Sequence, residues 1–143
     1  MLSSVISDVH LMRPCDLDRA LLMFYLTYGK HDRAATRAWF EARLDDPNHL
    51  FLMSGNHALV GCCTTTFYWP SFVQCYCLFL FGNDRLVKEP WATLKLLRAL
   101  IAWGRSQGAR RFHLSSELGQ SDLSPLALRL GMTRDMPNFV MEL

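Results

Sequence analysis

The chain reads as one α/β domain, with a central mixed, mostly antiparallel sheet and helices on both faces. Three observations predict this. Its 143 residues suit a single core, since two separate cores would each be too small. Apolar residues make up 50% and charged residues 20%, which is ample for packing and leaves little for disorder. Strand-like and helix-like segments also follow one another without a linker, a repeat or a low-complexity stretch.

The elements follow in order. The pattern predicts a strand over Ser7–Arg13, stopped by Pro14. Asp16 is placed to cap a helix running to Tyr28, with Gly29 as its terminator. Asp32 caps a second helix through Arg43, whose apolar side carries Trp39 and Phe40 and whose wet side carries Arg37, Glu41 and Arg43. Asp45-Asp46-Pro47-Asn48 is a turn. His49–Ser54 and Ala58–Trp69 then read as a hairpin about Gly55-Asn56. Pro70-Ser71 breaks the second strand, Val73–Phe81 is a third, and Gly82-Asn83-Asp84 closes it.

Pro90–Gln107 is the clearest helix, with Pro90 at its first position, Glu89 beside its positive end and Gly108 at its stop. Lys95, Arg98, Ala102 and Arg105 share one narrow stripe, and nearly everything else on it is apolar. So wide an apolar surface requires burial against a sheet. Arg111–Ser116 follows as a strand, Ser121 as the cap of a short helix ended by Gly131, and Asn138–Leu143 as a last strand. The order is β-α-α-β-β-β-α-β-α-β, about six strands, with residues 1–143 as one domain. The unit from Cys75 to Ser116 implies parallel neighbours joined by a right-handed crossover.

Composition excludes several classes. No apolar run reaches the ~18–20 residues of a bilayer span, and no basic-then-apolar leader opens the chain, so neither a membrane protein nor a secreted precursor is expected. A formal charge of +2 does not by itself argue for nucleic acid. The five cysteines, Cys15, Cys62, Cys63, Cys75 and Cys77, are odd in number and lie mostly in hydrophobic surroundings. They read as reduced thiols of a cytoplasmic compartment.

Leu94 through Ser116 resembles the central helix, glycine stop and following strand of the GNAT superfamily of acyl-CoA-dependent N-acyltransferases. Leu126 through Met132 resembles that family's last helix and its Leu-Gly-Phe ending. The order of elements agrees over nearly the whole chain, much as in acetyltransferase-like proteins of tailed bacteriophages. The resemblance implies a GNAT-like fold and an acetyl-CoA site. The phage likeness implies a place in the host cytoplasm or the virion.

Three provisions of that chemistry can be sought in the residues. The cofactor's pyrophosphate needs unpaired backbone N–H groups at a helix start. In the family these come from a loop of pattern Arg/Gln-x-x-Gly-x-Gly/Ala, onto which Lys88-Glu89-Pro90-Trp91-Ala92-Thr93 falls. Lys88 fits, whereas Trp91 and Thr93 replace small residues, Pro90 removes a donor and Glu89 adds a repelling charge. A base must take the amine's proton. Between Ala58 and Phe81 there is no Asp, Glu or His, so Gln74, Cys75, Tyr76 and Cys77 are the polar or ionisable candidates near the likely cleft, and His113 and Glu117 are the possible bases further along. An acid should steady the departing thiolate. The family's tyrosine, four residues before the Leu-Gly-Phe glycine, is here Ala127, and Tyr76 is a substitute.

Two readings follow. One is a GNAT-fold binding or assembly module with a degenerate acetyl-CoA site, plausibly phage-encoded and particle-associated, with a protein partner or a second copy of itself. The other is an active acetyl-CoA-dependent N-acetyltransferase. There Lys88 and the N–H groups of Trp91, Ala92, Thr93 and Leu94 hold the cofactor, His113 or Glu117 is the base, and Tyr76 the acid. Each motif also has a plainer explanation. The Lys95/Arg98/Arg105 stripe with Arg110 and Arg111 suits a solvated helix face better than a nucleic-acid site. Cys-Cys and Cys-x-Cys within strands do not match zinc knuckles, so no metal is expected. His113 suits a hydrogen-bonded, half-buried strand position. The run Phe67-Tyr68-Trp69, with Phe72 beyond Pro70, is either core packing or a partner surface.

Overall fold

A computed structural model of the chain describes residues 9–29, 32–54, 59–68, 72–82, 90–115, 123–135 and 138–143. The strands are β1 (Val9–Leu11), β2 (His49–Ser54), β3 (Leu59–Tyr68), β4 (Phe72–Gly82), β5 (Ala109–Ser115), β6 (Thr133–Asp135) and β7 (Asn138–Glu142). The helices are α1 (Leu17–Tyr28), α2 (Arg33–Arg43), α3 (Pro90–Ser106) and α4 (Ser124–Arg129). The strands form one sheet in the order β1-β2-β3-β4-β5-β7-β6. Every neighbouring pair is antiparallel except β4–β5, which is parallel and bridged by α3. The expected order of elements is observed, with one addition. A three-residue strand, β6, pairs with β7 and brings the sheet to seven strands.

Local chemistry explains most boundaries. The Asp32 side chain accepts the Ala35 N–H at 3.0 Å and starts α2 as expected. Gly29, Gly108 and Gly131 take positive φ where α1, α3 and α4 end. Asp16 behaves differently from its expected role and makes no side-chain cap on α1. Its carboxylate turns back to accept the Arg13 backbone N–H at 2.9 Å and the Arg13 Nε at 3.2 Å, closing a 3-10 turn over Pro14–Asp16. Burial opposes that carboxylate, but the Arg13 contacts and His10 hold its pKa below the usual value. The first strand ends at Leu11, before the expected Arg13, because after a last bond from the Met12 N–H to the Phe51 carbonyl Pro14 and this turn draw the chain out of the sheet. Ser7 and Asp8 lie outside the described residues. The helix α4 starts at Ser124 with Leu123 at its N-cap position, while the expected cap Ser121 and the Gly55-Asn56 turn lie outside the described residues.

The two faces of the sheet carry separate cores. On one, α3 and α4 cover Cys63, Cys75, Cys77, Leu80, Phe112, Leu114 and Phe139. On the other, α1 and α2 cover Phe51, Met53, Val60 and Phe81. As the stripe predicted, Arg98, Ala102 and Arg105 face solvent on α3. Gly104 of α3 packs closely on β4. A Cβ there would stand 3.1 Å from Cys75, so the helix approaches β4 only because that position has no side chain.

One irregularity positions the site. Cys62 pairs with Phe79 but Cys63 with Cys77, which leaves Leu78 as an extra residue in β4. This bulge reverses the side-chain alternation. Below it Cys75 and Cys77 point to the α3 core, and above it Leu80 does. Tyr76 and Phe79, three residues apart, consequently share the face toward α1 and α2.

Candidate functional site

The parallel ladder between β4 and β5 is short. It runs from Val73–Ala109 to Tyr76–His113 and stops. Beyond it, β4 is paired only with β3, and β5 only with β7, so the two strands part at Tyr76 and His113.

Three side chains converge at that parting. Gln74 and Tyr76 alternate onto the same face of β4, and the register sets His113 of β5 beside Tyr76. The Tyr76 and His113 rings stack with centroids 4.5 Å apart and planes 11° from parallel. The Tyr76 hydroxyl donates to Gln74 Oε1 at 3.3 Å, and His113 Nε2 bonds to the same oxygen. A carboxamide oxygen only accepts, so the geometry assigns the proton to His113 Nε2. Gln74 is 2% exposed, while Tyr76 and His113 are half-buried. A buried, neutral acceptor thus orients two groups that remain partly open to solvent. Arg111, opposite Gln74 in register, pairs with Glu142 at 2.6 Å on the rim.

The structure therefore brings together three of the residues singled out from the sequence, Gln74, Tyr76 and His113, and gives Gln74 its role as the acceptor shared by the other two. The signal for Gln74 was the alternation Gln74-x-Tyr76 on a strand otherwise rich in apolar residues. Glu117 and Lys88 lie outside the described residues, as do Trp69, Pro70 and Ser71 of the Phe67–Phe72 tip.

The start of α3 is the corner that could hold an acyl-CoA. Ala92, Thr93 and Leu94 are buried, so their side chains face the core and do not cover the outer side of the first turn. Trp91 points the other way and is 62% exposed. The Arg129 guanidinium, in the last turn of α4, lies 4.7 Å from the Trp91 ring centroid. A helix N-terminus and a cation thus stand side by side, a donor set that suits a pyrophosphate, although Pro90 contributes no N–H. Ala127 is fully buried in the α3 core and offers no acid.

The described cysteines are free thiols, with Cys63, Cys75 and Cys77 buried and Cys15 exposed. Burial, followed by contacts with Cys75 and Cys77, pushes the Cys63 thiol well up, which makes it a poor nucleophile. Among the described residues no group of three or more His, Cys, Asp or Glu is placed to hold a metal ion, and no helix is long and apolar enough to cross a membrane.

No family model and no curated protein matches the chain in sequence. Solved structures do match. The aminoglycoside 6'-N-acetyltransferase AAC(6')-IG from Acinetobacter haemolyticus aligns with a TM-score of 0.63 at 12% identity, over 73% of this chain and 75% of that one. A candidate acetyltransferase from Salmonella typhimurium, solved with its cofactor acetyl-CoA, aligns with a TM-score of 0.57 at 16% identity, over 94% and 92%. The chain has the GNAT fold. At such identities the likeness is one of architecture, and the GNAT fold by itself carries no activity.

Proposed function

We propose that the chain is an acyl-CoA-dependent N-acyltransferase with an unusual site, in which His113 is the base and Tyr76 the acid. The observation that supports this reading is the stacked Tyr76–His113 contact at the parting of β4 and β5. Residues 37 positions apart in the chain meet there, on the open side of the sheet.

Gln74 acts as the positioning residue. By accepting from Nε2 it fixes the tautomer, so that Nδ1 of His113 is the basic nitrogen. His113 takes one proton from the acceptor's ammonium at that atom, which restores the amine's lone pair. The Tyr76 O–H, already a donor within the site, gives its proton to the departing thiolate and is restored by the second proton that the nitrogen loses as the amide forms. The start of α3 with Arg129 holds the anionic end of the acyl-CoA, which when bound supplies the acyl group as a thioester. The sequence resemblance assigns Lys88 as a further cation for that end.

Calorimetric titration with acetyl-CoA tests the reading. Saturable micromolar binding, weakened by Lys88→Glu, is the expected result. His113→Gln should then lower kcat by ~10²–10⁴-fold with the cofactor still bound. A titration showing no binding at millimolar acetyl-CoA would overturn the transferase.

A second reading has its own observation. Ala127 is packed at 0% exposure where the resemblance places an acidic tyrosine. This favours a GNAT-fold binding or assembly module, held to a partner protein or a second copy, and the phage resemblance would set it in a particle. Failure to bind acetyl-CoA would decide for that module.

A further inference from the structure

Resting on the transferase reading, we infer that the acceptor is an amine carried on an uncharged, ring-sized apolar body, seated in an aromatic pocket between α1, α2 and β4. The pocket has a volume of about 310 Å³ and is lined by Phe24, Ala35, Thr36, Trp39, Phe40 and Phe79. The Phe79 ring anchors it, with centroids 5.6 Å from Phe40, 5.8 Å from Phe24 and 5.9 Å from Trp39. Thr36 carries the one hydroxyl of the six, and it donates to the Asp32 carbonyl at 2.9 Å. None of the six carries a charge. A phosphate, carboxylate or polyhydroxylated body would give up its hydrogen bonds to water there without replacement, whereas a phenyl or branched alkyl group has none to give up. The volume lies at the small end of ligand sites, roughly 300–1,000 Å³.

Its position ties it to the chemistry. Because Leu78 is a bulge, Phe79 shares a sheet face with Tyr76, and at ~3.3 Å per residue the two lie roughly 7–10 Å apart along β4. Trp39 also contacts the His49 ring at 6.2 Å. His49 stands in a single row across the sheet with Thr64, Tyr76 and His113. A ring held by Phe79 and Trp39 would therefore present an amine two or three bonds away toward Tyr76 and His113. The other groove beside α1, lined by Asp18, Arg33 and Arg37, lacks this link, and its Arg37 is already paired with Asp18 and Glu41.

The test is an equilibrium titration of the whole chain, without acetyl-CoA, followed by tryptophan fluorescence and calorimetry. The probes are 2-phenylethylamine and, as a polar control, ethanolamine. Phenylethylamine should bind at least about tenfold more tightly than ethanolamine. Phe79→Ala should weaken it by about tenfold or more. Ala35→Trp, at an exposed position on α2, should abolish binding by filling the pocket mouth without disturbing the core. Equal affinity for the two amines, or unchanged phenylethylamine binding in Ala35→Trp, overturns the inference. A chain that binds phenylethylamine but not acetyl-CoA overturns the transferase and leaves the pocket standing. The reverse result removes the pocket alone.

Discussion

The face of the sheet under α3 and α4 is occupied mainly by aliphatic, aromatic and thiol side chains, from Cys63 and Cys75 to Phe112, Leu114 and Phe139. The opposite face divides at Leu78. Above the bulge, Phe24 of α1 packs edge to face on the β4 rings and Trp39 and Phe40 of α2 lie tilted against Phe79, and below it Gln74, Tyr76 and His113 form a small polar cluster. The first face is continuous because α3 shields it along its length, so any polar group there would lack a partner. The second is half covered, and only a half-covered face can keep groups that meet both protein and solvent. Stability and chemistry are therefore drawn from opposite sides of the same strands.

The largest expected effect tests the sealed face. Phe112→Ala should cost about 3–5 kcal/mol of stability in a urea melt, because the ring is fully buried between α3 and the sheet. Its neighbour His113 faces the other way, so His113→Gln should move the same melt by far less. A melt in which the two variants fall equally would dissolve the distinction between faces.

Gln74→Leu comes next. It removes the one oxygen shared by Tyr76 and His113, and leaving a part-buried donor unsatisfied costs about 1–3 kcal/mol. It should also alter the pH profile of transfer, since the His113 tautomer is no longer set. A variant with unchanged stability and unchanged profile would show that Gln74 positions nothing. The smallest effect lies at the edge of the aromatic half. Asp32→Ala should cost ~0.5–2 kcal/mol through loss of the α2 cap. Asp32→Asn should restore most of it, which calorimetry of the three proteins would reveal.

Legibility from the residues followed the range of the interaction. The Asp32 cap was visible because donor and acceptor are three residues apart. Asp16 offered the same local pattern, yet its carboxylate was taken by Arg13 on the preceding turn, a competition that spacing alone does not rank. Tyr76 and His113 stood out as rare ionisable groups on apolar strands. The role of Gln74 did not, since its partner His113 lies 39 residues away. The bulge left no trace either. Cys77–Phe81 is apolar on both faces, so a reversed alternation changes no visible pattern.

What the amino-acid order determined by itself was the succession of strands and helices, the stops at Gly29, Gly108 and Gly131, and the burial of α3. Each of these depends on periodicity or on backbone preferences within a few residues. Tertiary structure alone decided where β4 and β5 part, which residue of β4 is extra, and that Tyr76 faces the same way as Phe79. Those outcomes depend on register between strands distant in the chain, and register is settled only when both faces of the sheet are packed at once.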